Sequence, residues 1–144
     1  MTTEKKKERI LGVDFGERRA GLALGVGVVT APLGVFKIRG GDVEALISEI
    51  TRVCLEEKIE KIVLGLPLNA RGEPTPQSLK VREFGKRLAR RVDRPVIFWD
   101  EFQSSKEALR EAVALDISQK RRRTLDDIAA VIMLRRYLAD SEGL

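Results

Sequence analysis

The sequence predicts an α/β fold: a five-stranded mixed sheet, its first three strands antiparallel, with helices on both faces. Three observations carry this. Three strand-type segments with short Gly- and Pro-containing connections open the chain. Helical and strand patterns then alternate to the end, the mark of βα units. The composition, 43% hydrophobic and 34% charged over 144 residues, is that of a globular domain with one core.

The elements follow in order. Arg9–Phe15 (RILGVDF) is a first, largely buried strand, and Arg19–Val26 (RAGLALGV) and Pro32–Ile38 (PLGVFKI) are the next two. Val43, Leu46, Ile47, Ile50, Val53 and Cys54 recur at three- and four-residue spacing, an amphipathic helix from about Asp42, its cap, to Glu57. Lys61–Leu66 (KIVLGL) is an interior strand, followed by a loop over Pro67–Thr75. Pro76 opens a helix to about Arg91 with Val81, Phe84 and Leu88 inward. Pro95–Trp99 (PVIFW) is the fifth strand. Ser104-Ser105-Lys106-Glu107 fits a capping box, so a helix begins there. A last helix spans Leu125–Leu138 with Ile128, Val131, Ile132 and Tyr137 inward. No repeat or linker divides the chain. The expected organisation is a flexible segment over 1–8, one domain over 9–138 and a tail over 139–144.

Composition restricts the chemistry. A single cysteine, Cys54, makes no internal disulfide and no zinc site, and is expected in the core. There is no histidine, which excludes Ser-His-Asp and Cys-His catalysis and histidine-held metals. Carboxylates without histidine point to hard cations such as magnesium or manganese. No uncharged run reaches the roughly 20 apolar residues of a membrane helix. The charged start, Met1–Arg9, is not followed by a signal-type apolar stretch, so the expected location is the cytoplasm, away from membranes.

The net charge is +5, from 27 basic and 22 acidic residues, and its placement says more than its size. Lys80, Arg82, Lys86, Arg87, Arg90, Arg91 and Arg94 stand against only Glu83 and Asp93, and Lys120, Arg121, Arg122 and Arg123 form an unbroken run. Such clusters suit a phosphate backbone; a solvated helix face and a charged loop would give the same pattern.

Three acidic positions stand out. Asp14-Phe15-Gly16 ends the first strand, Asp100-Glu101 follows the fifth, and Asp126-Asp127 opens the last helix. Each has a structural explanation: a turn for Asp14, helix capping for Asp100 or Glu101, first-turn acids for the last pair. Together they gain weight, because two strand ends and a helix start can meet at one edge of such a sheet. Converging carboxylates repel unless cations neutralise them, and two divalent ions would do so.

At these residues the sequence resembles a known family. ILGVDFGERRAGLAL, IVLGLPLNARGEPTPQSLKVREFGKRL, VIFWDE and LDDIAAVIMLRRYL look like the four successive blocks of the YqgF/RuvX family, in order, over Arg9 to Leu138. These are bacterial ribonuclease H-like nucleases, associated with maturation of the small-subunit ribosomal RNA precursor and described as Holliday-junction-resolvase-like. The resemblance implies a ribonuclease H-like fold. It places the catalytic and metal-binding acids at Asp14, Glu101 and Asp126, with Asp127 as the alternative to Asp126. Gly65-Leu66-Pro67-Leu68-Asn69 matches a loop expected to touch substrate through Asn69, and Arg19 matches a basic residue near the first acid. One departure is Phe102, which stands where the family carries arginine.

The expectation is therefore a Mg2+- or Mn2+-dependent nuclease with two ions, acting on a ribosomal RNA precursor or on branched DNA. Lys86, Arg87, Arg90 and Lys120 to Arg123 would grip phosphates without reading sequence. The alternative is a non-catalytic nucleic-acid or ribosome-assembly module, which Phe102 favours. Either a monomer or a homodimer is compatible.

Overall fold

The computed structural model describes residues 7–102 and 125–141; for 101, 102, 125–127 and 141 it describes the backbone alone. The expected helix from Ser104 and the run Lys120–Arg123 lie outside the described residues. The order is β1 (Arg9–Phe15), β2 (Arg19–Val26), β3 (Val29–Lys37), α1 (Val43–Glu56), β4 (Lys61–Leu68), α2 (Pro76–Arg91), β5 (Val96–Phe102) and α3 (Leu125–Ser141). The five strands form one sheet in the order β3-β2-β1-β4-β5. β1–β2 and β2–β3 pair antiparallel, and β1–β4 and β4–β5 parallel, which is the mixed sheet expected.

Three strand boundaries differ by more than one residue from the sequence reading: the β3 start, the β4 end and the β5 end. β4 ends at Leu68, so Pro67 and Leu68 belong to the strand and not to the expected loop. β3 begins at Val29, leaving a two-residue connection, Gly27-Val28, between strands paired through Val26 and Val29. Gly27 has φ +63°, the left-handed region that primed hairpin turns require. Pro32 does not start the strand. It lies within it, beside a register shift, and is tolerated because β3 is an edge strand. β5 runs on to Phe102, so Asp100 and Glu101 belong to the strand instead of following it. Parallel pairing with Leu66, Pro67 and Leu68 of the equally extended β4 holds these residues in the sheet.

The sheet carries two cores. On one side Leu11, Val13, Ile62, Leu64 and Leu66 meet Leu46, Ile47 and Ile50 of α1 and Val81, Phe84 and Leu88 of α2. Cys54 is buried in this layer, and burial pushes its thiol above the ordinary value. On the other side Ile10, Ala23 and Val63 meet Ala130, Val131, Leu134 and Tyr137 of α3, with Ile97 and Trp99 packed alongside. Helix ends fall where local chemistry sets them. Asp42 accepts from the Ala45 amide, and Thr75 and Ser78 form a reciprocal capping box ahead of Pro76. Among the described residues no helix is long and apolar enough to cross a membrane.

Two glycines let α3 dock closely. A β-carbon on Gly12 would lie 3.1 Å from Leu134 Cβ, and one on Gly25 would lie 3.1 Å from Leu134 Cδ2. Leu134 therefore fills a notch that two neighbouring strands leave by lacking side chains. On the opposite face Gly85 plays the same part for α2, where any β-carbon would collide with the ring of Phe98.

Candidate active site

Asp14 is the penultimate residue of β1, half-buried and paired in register with Gly21 of β2. Side chains alternate along a strand, and the neighbours of Asp14 identify its face. Ile10 belongs to the α3 core and Gly12 abuts Leu134, whereas Leu11 and Val13 belong to the α1–α2 core. Asp14 thus lies on the α3 face at the carboxyl edge of the sheet.

The register relates this position to β5. Val13 pairs with Leu64, and Gly65 with Trp99, so Asp14 is level with Trp99 and residue 101 lies two positions closer to the edge. With strands about 4.8 Å apart and a rise of about 3.3 Å per residue, the two backbones are about 12 Å apart. Asp100 shares strand parity with Val96 and Phe98, which pack on the α1–α2 core, and so occupies the face away from Asp14. Residue 101 has the parity of Ile97 and Trp99 on the α3 side.

Helix α3 runs antiparallel to β1. Leu134 covers Gly12, Leu138 approaches Gly25, the partner of Ile10, and Tyr137 lies 5.4 Å from the Lys61 ammonium at the start of β4. Its first residues therefore stand at the carboxyl edge. Asp126 precedes Leu134 by about 12 Å of helix, and Asp14 follows Gly12 by about 7 Å of strand. The backbone positions of 14, 101 and 126 share one edge and one face. Among the described side chains no group of three His, Cys, Asp or Glu could hold a metal, and of the three acids only Asp14 has a described side chain.

Two substrate-binding expectations take a definite form. Asn69 is committed to its own loop: its Oδ1 accepts from the amides of Arg71 and Glu73, both at 2.9 Å, and its Nδ2 donates to Glu73 Oε1 at 3.1 Å. Thr75 Oγ1 donates to the Pro67 carbonyl at 3.1 Å and closes the loop onto β4. Arg19, exposed at the start of β2, stands two residues beyond Gly21 on the same face, at the edge shared with Asp14.

The basic residues of α2 are not brought to Asp14. This helix covers the opposite face and leads away from the carboxyl edge, so Lys86 is about 15 Å of helix beyond Pro76. Arg87 and Arg91 both bond Glu44 of α1, which holds the Glu44 carboxyl below the usual range. Lys86 and Arg90 are exposed without an ion-pair partner among the described residues. Lys80 pairs with Glu17 in the β1–β2 turn, and that hydrogen bond lowers the Glu17 carboxyl too.

Comparison with known proteins decides the family. The model of the family described as "RuvX: Holliday junction resolvase" matches residues 8–140. The chain belongs to the RuvX family. It is 41% identical over 131 residues to a Syntrophomonas wolfei protein named "Putative pre-16S rRNA nuclease", covering 90% of this chain and 93% of the relative. A Clostridium tetani protein of the same name is 38% identical, covering 90% and 95%. Among solved structures, Thermus thermophilus RuvC bound to a Holliday junction superposes with a TM-score of 0.66 at 19% identity, over 94% of this chain and 96% of that one. The fowlpox virus resolvase bound to Holliday junction DNA gives 0.53 at 17% identity, over 92% and 97%. These two likenesses place the RuvX chain in the RuvC-like, ribonuclease H-like fold, and its family membership makes it a nuclease by class.

Sequence reasoning missed Gln77, which donates from Nε2 to the Phe15 carbonyl at 3.2 Å next to Asp14, and the acids Glu17 and Glu44, which engage cations of α2. Their contacts span 43 to 63 positions of chain, a separation on which no local pattern reports.

Proposed function

We propose that this RuvX protein is a divalent-cation-dependent nuclease that hydrolyses phosphodiesters of structured nucleic acid, acting in the cytoplasm on the 5′ end of the small-subunit ribosomal RNA precursor. One observation carries the reading: Asp14 stands half-buried at the sheet's carboxyl edge, on the face and at the end where β5 finishes and α3 begins. Asp14, Glu101 and Asp126 are the proposed ligands of magnesium or manganese, two ions in all. The donor set fits, being all carboxylate oxygen with no competing imidazole in the chain. Asp14 and Glu101 come from one continuous hydrogen-bonded sheet, a rigid base for ligands. When bound, such ions lower the pKa of water and neutralise charge building on the phosphate.

The chain's own residues supply the rest. Arg19, beside Asp14 at the edge, orients a phosphate oxygen by charge-assisted hydrogen bonding. Asn69 acts by fixing the loop that follows β4, and through it the surface offered to the backbone. Lys86 and Arg90 offer a separate, sequence-independent grip on the far face, and the run Lys120–Arg123 adds a further one.

The experiment is cation-dependent cleavage of a ribosomal RNA precursor and of a synthetic four-way junction, for the wild type and Asp14→Asn. Loss of cleavage in the variant is expected, and unchanged activity would overturn the mechanism. Preference for the junction would favour the resolvase activity in the family's description. Tight, salt-sensitive binding without a product would leave a binding module.

A further inference from the structure

We propose that the cleft between the β1–β2 turn, α1 and α2 holds an unpaired nucleotide of the substrate. The cleft has a volume of about 500 Å³, within the range of small-ligand sites. Its apolar wall is Phe15, Phe84 and Val43, and three cations, Arg18, Lys80 and Arg87, stand at its rim. This inference rests on the nuclease reading, because it concerns where the same strand goes next.

The aromatic pair selects the ligand. Phe15 and Phe84 are stacked, with centroids 4.3 Å apart and planes at 13°. Phe84 is buried to 2% exposure and takes one face of Phe15, while Phe15 is half-buried and lines the cleft. A base laid on Phe15 extends this stack, and stacking on an aromatic ring accepts any base. The rim serves the phosphates. Glu17 and Glu83 also line the cleft, and Glu17 is engaged by Lys80 and Arg87 by Glu44. These pairs are exposed and weak, so a phosphate can take over either cation. Arg18 has no ion-pair partner among the described residues.

Continuity with the catalytic edge favours a nucleic-acid strand over a peptide. Phe15 follows Asp14 in β1, so the two side chains lie on opposite faces of the sheet at one edge. The tight turn Gly16–Arg18, closed by the Gly16 amide on the Arg19 carbonyl at 2.9 Å, lies between the two faces there. A strand leaving the Asp14 face crosses this turn, passes Arg18 and enters the cleft. A fully paired duplex cannot bend so sharply within a few nucleotides, so the occupant is single-stranded.

The test compares a blunt RNA duplex with the same duplex carrying a four-nucleotide single-stranded extension, using the full chain. The extension is expected to tighten binding by about fivefold or more, the lower end of one stacked base. Phe15→Leu, which keeps the apolar packing, should remove most of that gain. A photoreactive 4-thiouridine in the extension should cross-link to Phe15–Arg18 or to α2 near Lys80–Arg87, a readout independent of any variant. Equal affinity for both duplexes, or cross-links confined to other surfaces, would overturn the inference. Failure to cleave or bind either duplex would instead count against the nuclease reading itself. Cross-linking of a peptide, and not RNA, to the cleft would also overturn it.

Discussion

Gln77 reaches from the first turn of α2 to the carbonyl of Phe15, at 3.2 Å, and so ties that helix to the strand end bearing Asp14. β1 runs out of ladder partners here, its last pair being Phe15 with Ala20. The Gln77 amide donates to a backbone oxygen at the point where the sheet stops supplying donors. With the Thr75–Pro67 bond, it joins the β4–α2 loop and the β1 end into one unit. Gln77→Ala is expected to lower kcat about tenfold, since small misplacements of reacting groups are costly. Stability should change by about 1 kcal/mol or less, as one part-buried hydrogen bond is lost. The manganese concentration for half-maximal rate should rise alongside, a shift that a purely structural role would not produce.

Cation binding should report on Asp14 without any turnover. Manganese at about a hundred times its dissociation constant stabilises a folded protein by about 2.7 kcal/mol. The wild type should therefore gain several degrees in Tm on titration, and Asp14→Asn should gain little. Cleavage by the same variant should fall at least about a hundredfold, in line with losing several kcal/mol of charge stabilisation. An equal Tm gain in both proteins would show that the cation binds elsewhere.

The two glycines beneath Leu134 should differ in tolerance. Gly12→Ala meets Leu134 Cβ, which is fixed to the helix backbone, so α3 itself must shift. Gly25→Ala meets Leu134 Cδ2, the end of a side chain that can rotate. Overpacking at Gly12 should cost about 1–3 kcal/mol in chemical unfolding and Gly25→Ala clearly less. Gly12→Ala should also reduce cleavage, because a shifted α3 carries Asp126 with it. Equal stability losses would argue against the notch.

The link between α1 and α2 should respond to acid. Arg87 and Arg91 hold the Glu44 carboxyl below its ordinary value, so its contribution to stability is present above the unfolded pKa of about 4.3. That contribution disappears as pH falls through the lowered folded value. Glu44→Gln should accordingly lower Tm slightly at pH 7, and this deficit should shrink as pH falls below the unfolded value, measured by thermal melts. A deficit of the same size at every pH, with no decline in acid, would assign the effect to packing instead of charge.

Much of this protein could be read locally. The spacing of Leu46, Ile47, Ile50, Val53 and Cys54 defines α1, and the apolar run of β4 marks an interior strand, because burial imposes its periodicity directly on neighbouring residues. Asp42 and Pro76 likewise announce helix starts through their own backbone chemistry. Asp14 could be singled out because an acid at the end of an apolar strand is a local event. What lies across the sheet was not legible. The extension of β5 to Phe102 depends on pairing with β4, and the choice of Asp14's face depends on α3 lying over Gly12. The capture of Arg87 by Glu44, the Gln77–Phe15 bond and the Phe15–Phe84 stack join residues that chain order keeps far apart. Composition and periodicity decide which elements form. Only their packing decides which charges are already paired, which carboxylate sits on which face, and where a cleft remains open, since each depends on contacts made after distant segments meet.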